Sequence, residues 1–203
     1  MKSFSEIETT SKRASKAAGF SWGAAEEIGK NIRLLEMFGL PGIKNLIKYY
    51  NIRKEKKFEN LKLINKENKI KSYELCPIIS GMSFLDQIKS LENLGEVFFE
   101  KMAYPIIFLS FVSRSSEVMG KRILIKLDDS DFLINFNISI YSNCIKKDII
   151  DVANSISVKF LENSDSFSDQ EWNELYKLSE NTFVEEKESL KKGAAGAGLT
   201  DND

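Results

Sequence analysis

The sequence predicts an α+β fold: an N-terminal helical unit, a mostly antiparallel sheet, a late helix and a glycine-rich C-terminal tail. Three observations carry that prediction. Apolar residues recur at helical spacing up to about residue 52, strand-like runs bounded by turn residues follow, and helical spacing returns after Ser168. A chain of 203 residues is expected to form one domain. Within it we expect a helical unit at 1–52, a charged connection at 53–72 and a strand-rich core at 73–165. A helix at 166–192 and a Gly/Ala tail at 193–203, ending Thr-Asp-Asn-Asp, complete the chain.

The first helix is predicted from about Ser5 to Ala18. Ser5 with Glu8, or Ser3 with Glu6 in a second register, has the spacing of a capping box. Gly19 stands where a left-handed cap would stop that helix, and Ser21 caps a second one with Ala25, Ile28, Ile32 and Leu35 on its apolar face. Gly39-Leu40-Pro41-Gly42 breaks it, and Ile43, Leu46, Ile47 and Tyr50 mark a third. The charged stretch that follows holds a possible strand at 61–64. Ser83 with Asp86 suggests a short helix through Leu91, and the apolar run Pro105–Val112 suggests a buried strand. Arg122–Leu127 and Phe132–Phe136 read as a hairpin about Asp128-Asp129-Ser130-Asp131. Further strands are expected at Ile138–Tyr141 and Ser155–Leu161. Ser168 with Glu171 caps the last helix, which carries Trp172, Leu175, Tyr176 and Leu178.

Composition removes several classes of function. A net charge of −1 gives no attractive field for nucleic acid, and no apolar run reaches the roughly 18 residues of a membrane span. The opening residues lack the apolar stretch of a secretory signal, and Cys76 and Cys144 read as reduced thiols, so a cytoplasmic location is expected. Histidine is absent, which removes the commonest general base and transition-metal ligand. No zinc, copper or iron site is therefore expected, and no cofactor is indicated.

Small residues concentrate at the two ends: of 21 Gly and Ala residues, ten lie in 1–42 and six in the last eleven. Close packing or special backbone geometry at both ends follows from that distribution. Glu26 and Glu27, after the first helix break, are candidate bases or cation ligands, although acids in a first turn also simply favour the helix dipole. Trp22 beside them is a candidate stacking wall. Arg13 and Arg33 stand out because lysine outnumbers arginine 24 to 5, and a retained guanidinium suits bidentate anion recognition. In the tail, backbone amides from Gly196 and Gly198 to Thr200 and Asn202 suit an anion, while Asp201 and Asp203 suit a hard cation or catalysis. The tail is expected to fold back on the first helices.

The stretches SEIETTSKRASKAAGFSWGAAEEIGKNIRLLEMFGLPG and GAAGAGLTDND resemble the opening and closing signatures of the uncharacterised bacterial family called domain of unknown function 3726. The resemblance implies a bacterial protein and brings no established activity. A serine-arginine pair precedes the glycine run in that family; Ser189-Leu190-Lys191-Lys192 stands there in this sequence. The rhythm of residues 17–50 is also similar to the N-terminal helices of the malate/L-lactate dehydrogenase family that lacks a Rossmann fold. Leu40-Pro41-Gly42 replaces the Ser-His-Gly motif of that family, so hydride transfer is not expected. The functional expectation is a small-molecule metabolic enzyme or an enzyme's accessory subunit, or else a structural homo-oligomer without catalysis.

Overall fold

A computed structural model describes residues 2–143 and 151–182 of the chain. The contacts divide it into two units, Met1–Asn163 and Ser164–Asp203. Three helices open the first unit: α1 (Phe4–Ala17), α2 (Trp22–Met37) and α3 (Gly42–Arg53). Their limits follow the local chemistry. Ser3 and Glu6 close a capping box on α1, the second of the two expected registers. The chain then turns at Gly19, whose φ of +94° is open only to glycine at low cost, and Ser21 caps α2. Small residues let α1 and α2 approach: a Cβ on Gly29 would lie 2.7 Å from the Glu8 carbonyl oxygen.

After the connection comes β1 (Glu67–Asn68), then α4 (Pro77–Asp86), α5 (Ile88–Leu91) and a 3₁₀ turn at Glu92–Leu94. β2 (Glu96–Ala103) leads directly into α6 (Pro105–Met119), and β3 (Ile123–Leu127), β4 (Ser130–Asn135), β5 (Ser139–Ser142) and β6 (Val152–Phe160) complete the unit. The strand order is β1-β2-β6-β3-β4-β5, antiparallel except for the β1–β2 pair. Val97, Phe99, Ile123, Ile125, Phe132, Ile134, Val158 and Phe160 are buried on one face, while Phe98, Glu100, Lys126 and Lys159 alternate onto the open one.

The run Pro105–Val112 is helical, correcting the strand expectation. Pro105 occupies the first helical position, and α6 packs against β3 and β4 on one side and α2, α3 and α4 on others. A helix covered all round is apolar all round, so it shows no period from which sequence separates it from a buried strand. Its serines turn inward at no great cost: Ser110 donates to the Ile107 carbonyl at 2.7 Å and Ser115 to that of Phe111 at 2.9 Å. Residues 61–64 form no strand; the short β1 lies just beyond them. The hairpin about Asp128 is present, and the Asp128 carboxylate accepts the Asn154 and Ser155 amides at 3.0 and 2.9 Å.

In the second unit, α7 (Asp169–Glu180) starts on a capping box of Ser168 and Glu171, and the Phe167 ring stacks on Trp172 at 5.6 Å. The expected helical stretch beyond residue 182 and the tail lie outside the described residues.

Candidate functional site

A cleft of about 730 Å³ opens where the α1–α2 corner, the end of α3, the 56–60 loop and the start of α4 converge. Each element contributes for a local reason. The corner at Gly19 brings Phe20 and Ser21 to the rim, and the last turn of α3 presents Tyr49 and Arg53. Arg53 is fixed by two contacts: its guanidinium lies 4.5 Å over the Phe20 ring and donates to the Ala18 carbonyl at 2.5 Å. Lys56 is held from behind by the Glu74 carboxylate at 2.6 Å, which is only 8% exposed and also lies 3.6 Å from Lys101. Lys57 forms no ion pair among the described residues, and no acid lines the cleft.

At its floor the Tyr49 hydroxyl and Cys76 thiol lie 2.9 Å apart, with the two residues 0% and 2% exposed. Cys76 caps α4, its sulfur accepting the Ile79 amide at 3.4 Å. Burial pushes the thiol above its ordinary value despite the hydrogen bonds from Tyr49 and Ile79, so it stays protonated at neutral pH. Burial raises Tyr49 as well, and pushes neighbouring Tyr50, bonded to Ser15 at 2.6 Å, up to about 12. Phe58, Ile79 and Met82 give the cleft its apolar wall.

The wall at 56–60 is pinned by Glu59, whose carboxylate accepts the amides of Lys71, Ser72 and Tyr73 at 2.8, 2.5 and 2.9 Å. Those backbone hydrogen bonds, Tyr73 and Ser72 foremost, hold the carboxyl below its ordinary 4.5. A depressed folded value means that the stabilisation is complete above the ordinary value and is lost as pH falls through the folded one. Glu59→Gln should therefore lower the melting temperature at about pH 7 and lose less than the parent between about pH 5 and pH 3. Equal acid sensitivity in both proteins would contradict this assignment.

Residues 2–76 match the family described as Protein of unknown function (DUF3726). The matched segment runs from α1 to the cap of α4, and includes every residue lining the cleft except Ile79 and Met82. The first of the two resembling stretches lies within it and the terminal one beyond it. No curated protein and no solved structure matches the chain.

Of the residues singled out in the sequence, Arg13, Trp22, Glu26, Glu27 and Arg33 do not line this cleft. Glu26 is bound by Lys12 at 3.0 Å and Lys30 at 3.1 Å, which hold its carboxyl below the ordinary value. Burial pushes Glu27 up, but Arg114 and Lys30 outweigh it and leave that carboxyl lowered. These ion pairs clamp α2 to α1 and to α6. Arg33 pairs with Glu8 at 2.8 Å across the same α1–α2 contact, and Arg13 is exposed. Trp22 is 57% exposed at the start of α2, with the Lys16 ammonium 5.5 Å over its ring. Gly196, Gly198, Thr200, Asp201, Asn202 and Asp203 lie outside the described residues. Sequence reasoning did not single out Tyr49, Arg53, Lys56, Lys57 or Cys76 as site residues. The usable signal was Arg53, one of only five arginines.

Proposed function

We propose that the protein binds a small anionic organic molecule in this cleft, as a metabolic enzyme or an accessory subunit of one. The carrying observation is the lining: Arg53, Lys56 and Lys57 converge on an open cavity to which no carboxylate is contributed. The start of α2 adds its dipole, with no acid in its first turn to offset it. Arg53 is ordered before any ligand arrives, which lowers the entropy cost of binding. Buried Tyr49 and Cys76 supply hydrogen-bonding groups without a charge, and the neutral thiol is no ready nucleophile. Recognition is thus better supported than any one reaction.

The test is anion-dependent stabilisation. Inorganic phosphate, benzoate and dicarboxylates should raise the melting temperature of the parent protein by mass action. The double variant Arg53→Gln, Lys57→Ala should weaken that response at least about tenfold, as expected for lost charge-assisted hydrogen bonds. An unchanged response in the variant would exclude this cleft as the site.

A groove of about 250 Å³ between α1 and α3, with Ile43 and Ile47 exposed, favours a second reading, a homo-oligomer without catalysis. The small residues give that reading less support, since Ala25, Gly29 and Gly42 are already buried in contacts within the chain. Sedimentation as a concentration-independent monomer would remove it.

A further inference from the structure

The helix α7 has twelve residues and buries none of them. Its large apolar side chains fall on one stripe. Trp172, Leu175 and Tyr176 stand at i, i+3 and i+4, Leu178 lies at the edge, and all four are half or more exposed. The one ring contact on that stripe among the described residues is Phe167 on Trp172. A helix of this length is marginal in water by itself, so whatever covers the stripe supplies much of its stability.

The groove between α1 and α3 has the complementary form. Ile7, Thr10 and Ala14 of α1 wall one side and Ile43, Leu46 and Ile47 of α3 the other, with Ile43 and Ile47 exposed. α3 is also twelve residues long, about 18 Å at roughly 1.5 Å per residue, so α7 matches it in length. An amphipathic helix laid in an apolar groove through anchors at i, i+3 and i+4 is a recurring mode of recognition.

Charge selects among the occupants. α7 carries Asp169, Glu171, Glu174 and Glu180 against Lys177, four acids to one base and so a net −3. α3 carries Lys44, Lys48 and Arg53 and no acid, a net +3. Lys44 forms no ion pair among the described residues, and Lys48 has only the exposed Asp151 at 3.7 Å. Glu6, the one acid lining the groove, is taken by the Ser3 amide at 2.9 Å and Lys2 at 3.6 Å. The same charge sets α7 against a second α7 and against an anionic lipid surface.

We propose that the α1–α3 groove of one copy receives α7 of a second copy, with the apolar stripe inward and the acids toward Lys44 and Lys48. The proposal goes beyond the anion-binding reading, and its failure leaves that reading untouched: the groove uses the start of α3 and the cleft its end.

The test is sedimentation of the full chain and of two single variants, Ile47→Asp in the groove and Leu175→Asp on α7. Both positions are exposed, so each variant should keep the parent melting profile of the first unit at low concentration. The parent should associate reversibly as its concentration rises, and each variant alone should remain a monomer. An equimolar mixture of the two should form a 1:1 heterodimer, because it contains one intact groove and one intact α7. The double variant Lys44→Glu, Lys48→Glu should associate at least about tenfold more weakly than the parent. A parent that stays monomeric at every concentration overturns the proposal. Association of Leu175→Asp equal to that of the parent overturns α7 as the occupant and points to two grooves meeting face to face. A mixture that stays monomeric, or a charge-reversed variant that associates as the parent does, overturns the pairing as well.

Discussion

Phe108→Ala is expected to cost about 3–5 kcal/mol of folding stability. Phe108 is fully buried on α6, and its ring meets Phe84 of α4 edge-on at 5.6 Å and Phe99 of β2 at 5.1 Å. Phe84 in turn stacks on Phe160 of β6 at 6.3 Å. Four elements thus share one aromatic cluster, and none can close the void without leaving its other contacts. A loss of this size is a large fraction of the roughly 5–15 kcal/mol that holds a domain folded. Urea unfolding should show a lower midpoint at nearly unchanged slope. A cost below about 1 kcal/mol would mean that this cluster is not a packed core.

The second large effect is expected at Gly81, with a sign opposite to helix propensity. Replacing a helical glycine by alanine ordinarily stabilises by up to about 1 kcal/mol. A Cβ on Gly81, however, would stand 2.3 Å from Cδ2 and 2.6 Å from Cγ of Phe111, a fully buried ring of α6. The ring has no free end to swing away, so α4 would have to lift from α6. Gly81→Ala should destabilise by about 1–3 kcal/mol, and Gly81→Leu should fail to give soluble folded protein. Gly23→Ala is the internal control: a Cβ there meets nothing within 4 Å, so that variant should be neutral or more stable. If Gly81→Ala melts above the parent, the close α4–α6 approach is wrong.

Where local chemistry decides an element, the sequence was readable. Gly19, the Ser21 cap and the Ser168–Glu171 box mark helix limits through groups within a few residues of one another. The β3–β4 hairpin likewise follows from alternation around a polar turn. Reading failed where burial erased periodicity, as in α6, and β2 was missed for a related reason. Its sequence EVFFEKMA sets Phe98 and Phe99 side by side, so alternation is blurred until the buried face is known. The cleft was harder still. Tyr49, Arg53, Lys57 and Cys76 come from segments brought together only by tertiary packing, with no motif among them. Glu26 and Glu27 attracted notice as adjacent acids after a helix break; of their partners only Lys30 stands within helical reach in sequence, while Lys12 and Arg114 are brought to them by packing.

The strand order also dictates a sequence of events during synthesis. β6, the last of the described strands, lies between β2 and β3, pairing Val97 with Val158 on one side and Leu127 with Ile156 on the other. Until residues 152–160 leave the ribosome, the remaining strands form two separate ribbons, each with an unpaired edge that offers free amides and carbonyls to any passing chain. A nascent chain stopped before Val152 holds every described helix of the first unit and five of its six described strands, yet lacks the strand that joins the two ribbons. Closure of the sheet therefore comes late, and the interval before it is when this protein is most exposed to misassembly.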